Sequence, residues 1–227
     1  MNRIVLVAFF LLLFSEAQAQ IHEVGVFVGG SNYIGDVGPT TYINPNELSL
    51  GLLYKWNRSK RHSWRISYVQ GKITSNDLDS DAPSRKKRGF SFENEIKELS
   101  AGLEFNFFDF NLHESGWIVT PYVYSGLSGF RYEELYFTSN TARIDKSSYS
   151  LAIPMTVGIK SRIANQFVLG LETSFKYSFT DNLDGSHPKN SAYTANQFGN
   201  LNSNDWYVFT GITLTYTFGQ NPCFCAE

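Results

Sequence analysis

Trp206-Tyr-Val-Phe-Thr-Gly-Ile-Thr-Leu-Thr-Tyr-Thr-Phe218 alternates along its whole length. Trp206, Val208, Ile212, Leu214, Tyr216 and Phe218 fall on one side. Tyr207, Gly211, Thr213, Thr215 and Thr217 fall on the other. Residues two apart in a strand share a face, so this stretch predicts a strand with one face suited to hydrocarbon and one to a small polar interior. The same pattern recurs upstream. In 166–179, Phe167, Leu169, Leu171, Phe175, Tyr177 and Phe179 oppose Gly170, Glu172, Ser174, Lys176 and Ser178. In 97–108, Leu99, Leu103, Phe105 and Phe107 oppose Glu98, Ser100, Glu104 and Asn106. Residues 149–160, 47–56 and 22–32 alternate likewise, and 63–72 does so more weakly. Residues 117–131 are strand-like, but their faces do not sort.

These segments number eight, and their connections alternate in length. Residues 33–46, 73–96, 132–148 and 180–205 form long connections, and 57–62, 109–116 and 161–165 short ones. Outer-membrane barrels pair short periplasmic turns with longer external loops. The expected fold is therefore all-β: a closed antiparallel transmembrane barrel of eight strands over residues 20–218, with both termini in the periplasm. A lipocalin-like barrel or sandwich alternates in the same way with its faces exchanged. Aromatics at the strand ends, a polar face poor in charge and the terminal Phe218 favour the membrane reading.

The N-terminus agrees with export. Arg3 precedes an apolar run from Ile4 to Phe14, and Ala17-Gln-Ala19 has the form of a cleavage site. The run is too short to cross a bilayer, which takes about 20 residues in a helix. Residues 1–19 are read as a signal peptide and 219–227 as a periplasmic tail. A formal charge of −2 gives no basic excess for nucleic acid. Mean hydropathy is −0.22, unlike a helical membrane protein. Aromatic residues make up 16%, which suits strands and interfacial girdles.

Little reactive chemistry stands out, and no cofactor, metal or catalytic residue is assigned. The inward charges Glu23, Lys55, Arg65, Glu98, Glu104, Lys160, Glu172 and Lys176 balance in sign and predict an internal salt-bridge plug. Ser186 and His187 adjoin, but no acid is placed by sequence to orient the imidazole, and no G-x-S-x-G element occurs. His62 and His113 fall in short turns. Asp77, Asp79 and Asp81 have calcium-loop spacing, yet Ala82 and Arg88 stand where Gly and Glu belong, so a solvated acidic loop is expected. Arg85, Lys86, Lys87 and Arg88 either contact lipopolysaccharide phosphates or stay hydrated. Cys223-x-Cys225 alone is a weak metal signal. In an oxidising compartment it points to a local disulfide or a partner bond.

Several motifs serve no general chemistry and read as family marks. They include Val28-Gly-Gly-Ser-Asn-Tyr-Ile-Gly-Asp-Val-Gly38, Pro45-Asn-Glu-Leu48, Tyr54-Lys-Trp-Asn-Arg58, Arg61-His-Ser-Trp-Arg65 and Ser84-Arg-Lys-Lys-Arg-Gly-Phe-Ser-Phe92. Glu98-Leu-Ser-Ala-Gly-Leu-Glu-Phe-Asn-Phe107, Asp181-Asn-Leu-Asp-Gly185 and the stretch from Phe198 to Gly211 complete them. Through them nearly all of the mature chain resembles the PorG family of the type IX secretion system. The resemblance implies an eight-stranded outer-membrane barrel without enzymatic activity. It also implies a role in attaching the periplasmic PorK–PorN ring to the outer membrane, and carries over no contact residue.

The leading expectation is thus a non-catalytic anchor or assembly factor for a secretion ring, with outer-membrane lipid and lipopolysaccharide as surroundings. A surface adhesin or defence barrel acting through its outer loops is the alternative, and a lipid-modifying enzyme a third. If both termini are periplasmic, an anchor works through the short turns and the tail. Arg58, Lys60, Arg61 and His62 in the first turn, with Cys223 and Cys225, are the candidate partner-binding residues. The basic turn suits an acidic partner surface, and the same residues could equally be ordinary charges flanking strand ends.

Overall fold

A computed structural model describes residues 21–112, 117–200 and 203–219. The predicted signal peptide, His113, Cys223 and Cys225 lie outside the described residues. Eight strands close into a barrel in which each pairs antiparallel with its chain neighbours and β1 with β8. They are β1 (Ile21–Ile34), β2 (Glu47–Asn57), β3 (His62–Asn76), β4 (Ser91–Asn106), β5 (Val119–Phe137), β6 (Ala142–Ala164), β7 (Phe167–Ser178) and β8 (Trp206–Phe218). A short helix, α1 (Pro83–Arg88), lies between β3 and β4.

The decisive stretch forms β8 to the residue. Its register with β1 runs from His22 opposite Phe218 to Ile34 opposite Trp206, and this pairing shuts the ring. Closure leaves no strand edge within the barrel wall. Connections 58–61 and 165–166 and the β4–β5 turn gather at one end, with the start of β1 and the end of β8. Connections 35–46, 77–90, 138–141 and 179–205 gather at the other. These are called here the short-turn and long-loop ends.

Inside and outside sort as the alternation requires. Val24, Val26, Val28, Leu50, Leu52, Leu103, Leu171, Ile212 and Leu214 point outward and are exposed, whereas Glu23, Lys55, Glu98, Glu104, Lys160 and Glu172 are buried in the lumen. The strand with unsorted faces is settled. Thr120, Tyr122, Tyr124, Ser128 and Phe130 face inward; Val119, Val123 and Leu127 face outward. Val208 departs from expectation. It is on the outward side but fully buried. It pairs with Asn32, whose side chain binds Thr41 O, Tyr42 O and Asn44 N of a connection folded back over the outer side of β1.

Some boundaries also move. Residues 132–148 are not a long loop but the tip of a hairpin that turns at 138–141. β5 and β6 have 19 and 23 residues, against about 9–11 needed to cross a bilayer. Outside the hydrocarbon a strand needs no apolar face, so Glu133, Glu134, Arg143, Asp145 and Lys146 hid it from a hydropathy reading. A register shift between Glu134 and Leu135 breaks the alternation as well. β3 and β4 likewise run on into the expected 73–96 connection, and the tight turn shortens to 165–166. His62 opens β3 rather than sitting in the turn.

Candidate functional site

The lumen is a packed plug. Arg65 on β3 donates two hydrogen bonds of 2.7 Å to Glu172 on β7. Glu104 on β4 accepts from Lys55 at 2.9 Å and Lys160 at 2.5 Å. Glu98 accepts from Lys176 at 2.7 Å and from the Tyr207 hydroxyl at 2.6 Å. Glu23 is held by Asn57 at 2.8 Å and Thr215 at 2.7 Å. Tyr122 donates to Glu172, and its ring lies 5.2 Å from Lys55 Nζ and 5.3 Å from Lys160 Nζ. Each inward charge singled out from sequence thus has a partner. An eight-stranded barrel is only wide enough for its own side chains, and here they fill it with paired ions.

At the short-turn end the predicted basic residues come together on one hairpin. Ser59 shapes the turn: its Oγ accepts from Arg61 N at 3.2 Å and His62 N at 3.0 Å. Arg58 is exposed, its guanidinium 5.1 Å from the Trp56 ring. Arg61 pairs with Asp109 of the next turn at 2.6 Å, so its charge is partly answered within the barrel. Lys60 O accepts from Phe110 N at 3.0 Å and Asn106 Nδ2 at 3.1 Å, which joins the two turns. His62 faces Ser59 Oγ at 3.1 Å and packs against Phe105, so it belongs to the turn's own structure.

The long-loop end is more ordered than the sequence suggested. Asp77 is not a solvated acid. It is fully buried and accepts from Arg88 at 2.7 and 2.9 Å, Gly38 N at 2.9 Å and Phe90 N at 3.0 Å. Burial raises its pKa, but the Arg88, Gly38 and Phe90 donors outweigh that and hold it below the ordinary carboxylate value. Arg85 donates to Gly38 O at 2.5 Å and Gly35 O at 2.9 Å. Of the basic run, only Lys86 and Lys87 face solvent. Gly89 ends α1 in the left-handed conformation, φ 67°, where a side chain is disfavoured. The spacing Arg85–Arg88 on one helical face was the signal for this clamp.

Asp181-Asn-Leu-Asp-Gly185 folds inward over the barrel mouth. Leu183, Asp184 and Ser186 are fully buried. Leu183 N donates to Asp205 at 2.8 Å, and Tyr33 donates to the same carboxylate. His187 does have an acid nearby: its Nδ1 lies 3.9 Å from Asp181 Oδ2. Ser186 Oγ, however, donates to Asp181 O at 3.2 Å and is sealed from solvent. The two side chains form no nucleophile–base pair.

An apolar exterior around a salt-bridged interior inverts the polarity of a water-soluble barrel. Trp64, Phe107, Trp117, Phe167, Tyr216 and Phe218 add an exposed aromatic ring at the short-turn end. Together these define a membrane-spanning β-barrel of eight strands. The family profile described as "Domain of unknown function (DUF6089)" matches residues 2–227, and the chain belongs to that family. No protein of curated function matches it in sequence. Among solved structures it is similar to the attachment invasion locus protein Ail of Yersinia pestis in complex with sucrose octasulfate. Identity is 12% and the TM-score 0.48, over 88% of this chain and 100% of that one. It is also similar to Neisserial surface protein A, with 11% identity and a TM-score of 0.45 over 88% and 95%. For OprG of Pseudomonas aeruginosa the values are 9% and 0.42 over 90% and 98%. The fold assignment rests on the strand register and the inverted polarity, not on these distant likenesses.

Proposed function

We propose that this chain is a non-catalytic outer-membrane barrel that anchors or assembles the periplasmic ring of a type IX secretion machine. A PorK-type lipoprotein and its PorN-type partner are the periplasmic contacts. The observation that carries the reading is the plugged lumen. A barrel filled by paired ions offers no conduit, so its work lies at its ends. The resemblance to the PorG family supplies the partner. In this reading residues 1–19 are removed on export, and both termini and the short-turn end face the periplasm. Arg58, Lys60 and the outer flank of Arg61 then present positive charge to the ring, and Cys223 and Cys225 lie on the same side. Opposite charge across such a contact steers association and fixes orientation.

The test is co-purification from detergent-solubilised membranes. The triple variant Arg58→Glu, Lys60→Glu, Arg61→Glu should lose the ring proteins while the barrel stays folded and heat-modifiable on gels. Trimming the exposed loop tip Lys189–Ala195 should leave ring capture unchanged. Ring capture lost with the loop tip and kept with the reversed turn defeats the anchor reading or inverts the topology.

One observation favours a second reading, an adhesin-type barrel acting at the cell surface. The β5–β6 hairpin projects past the barrel and exposes Tyr149, Ile144 and Lys146. Under that reading, shortening the hairpin abolishes surface attachment and leaves secretion intact.

A further inference from the structure

We infer that the β1–β2 connection, residues 35–46, lays Tyr42 and Ile43 into the membrane interface beside the barrel, so that the partner of its tip is a lipid surface. The inference needs the barrel to span a membrane and is independent of the ring-anchor reading.

The connection is held on the outer wall of the barrel, not over its mouth. Gly30 and Asn32 continue the outward side of Val24, Val26 and Val28. An asparagine there would face lipid, yet Asn32 is buried, because the connection uses its whole amide. It donates to Thr41 O and Tyr42 O at 3.3 Å each and accepts from Asn44 N at 3.2 Å. Asn46 N donates to Ser31 O at 3.1 Å, and Asn46 Nδ2 to Thr74 O at 3.2 Å. Pro45 packs over Gly30. A Cβ on Gly30 would stand 2.5 Å from Pro45 Cβ, so any side chain there would lift the connection away.

The strand register gives the depth. Val28 pairs with Ile212, and both are exposed on the lipid face. Gly30 is two residues further on, about 7 Å along the strand. Asn32 pairs with Val208, and Trp206, two residues beyond Val208, meets Tyr177 edge-on. The connection thus lies between the apolar band and the aromatic residues of the long-loop rim, the level at which aromatic girdles meet headgroups.

The composition fits that level. Residues 39–46 carry no Asp, Glu, Lys, Arg or His, whereas 77–90 and 179–205 carry several. Tyr42 is 71% exposed and Ile43 51%. A tyrosine suits a boundary that is apolar on one side and wet on the other. Irregular backbone at membrane depth must have its polar groups satisfied by protein. Asn32 does this for the carbonyls of Thr41 and Tyr42. A loop standing in water needs no such donor, since water supplies it.

The experiment uses the full mature chain carrying Cys223→Ser and Cys225→Ser, refolded into dioleoylphosphatidylcholine vesicles. A nitroxide is attached at one introduced cysteine. Ile43→Cys is compared with Leu50→Cys on the lipid face and Lys87→Cys on α1. Oxygen concentrates in lipid, and a nickel chelate stays in water. The oxygen-to-nickel accessibility ratio at position 43 should exceed that at 87 several-fold and approach that at 50. With Asn32→Ala added, the ratio at 43 should fall to the value at 87 while the barrel keeps its heat-modifiable shift. A ratio at 43 no higher than at 87 overturns the proposal. So does a label shielded from both reagents, which would mean that a protein neighbour covers the tip. A ratio that Asn32→Ala leaves unchanged overturns it as well. If Asn32→Ala does not fold, Gly30→Val decides, since it extends the outward valines and displaces Pro45: a ratio that falls supports the proposal, and one that stays overturns it.

Discussion

Arg65 and Glu172 face each other across the full width of the barrel, from β3 to β7, joined by two hydrogen bonds of 2.7 Å. β3 and β7 are diametrically opposite in a ring of eight. Glu98 and Tyr207 make a second diametric tie, from β4 to β8. Neighbouring strands are already held by their backbone ladders, and these side chains brace the ring along two diameters. The same side chains are buried in the lumen, so the residues that brace the barrel are also those that fill it.

The Arg65–Glu172 pair gives the first prediction. Arg65→Met leaves Glu172 buried with only the Tyr122 hydroxyl as partner. Removing one member of a buried pair typically costs about 3–5 kcal/mol. Replacing both, as Arg65→Met with Glu172→Met, should cost clearly less, because no uncompensated charge remains. Urea unfolding of the refolded barrel measures both. A double variant as unstable as the single would show that bracing, not charge compensation, dominates.

The lipid face gives the second. Leu103, Leu171 and Leu214 point outward in the apolar band. Leu214→Arg should destabilise the barrel by about 2–4 kcal/mol if it lies near the bilayer midplane. Thr213 next to it faces inward and is buried, so Thr213→Leu should instead overpack the lumen and cost about 1–3 kcal/mol. In detergent-free vesicles the first defect should shrink when arginine is moved to Phe218 at the aromatic ring, and the second should not depend on the membrane.

The alternation of β8, β7 and β4 was readable because lipid and a crowded polar lumen constrain opposite faces. β5 resisted for a physical reason. Its inward face carries Tyr122, Tyr124 and Phe130, and its outward face Pro121, Ser125 and Gly129, so neither face is simply apolar. The hairpin tip beyond it lies past the hydrocarbon and carries charge on both sides. The lumen charges could be named singly, but their partners sit on strands far apart in sequence. The basic turn was visible as composition; Asp109, which answers Arg61, was not, since only the β4–β5 connection brings it near. The aspartate cluster at the long-loop end joins residues as distant as Asp36 and Asp205, and only closure of β1 on β8 unites them.

The Asp77–Arg88 clamp gives the third prediction. Asp77→Asn removes the charged half of two hydrogen bonds to Arg88 and should loosen α1 by about 1.5–3 kcal/mol. Tryptic cleavage within Arg85–Arg88 should then accelerate while the barrel keeps its heat-modifiable shift. The pH dependence follows from the lowered pKa of Asp77. Its stabilisation is fully present above the unfolded value of about 3.9. It is lost as pH falls through the lower folded value, so the clamp should hold at mildly acidic pH and open only in strong acid.

Asp181 behaves in the opposite sense. Burial first, then Asp184 and Asp36, raise its folded pKa to about 7. An unfolded or opened loop has an ordinary aspartate, near 3.9 on about the model-peptide scale. Between those two values the closed loop holds more protons than the open one, so closure weakens as pH rises. The penalty is complete above pH about 7. Tryptic cleavage at Lys189 should therefore speed up from pH 5 to pH 8, roughly across this window, once corrected for the enzyme's own pH profile. Asp181→Asn should flatten that rise, because its side chain has no proton to lose. A cleavage rate that climbs equally in wild type and Asp181→Asn would assign the opening to Asp184 and Asp205 instead.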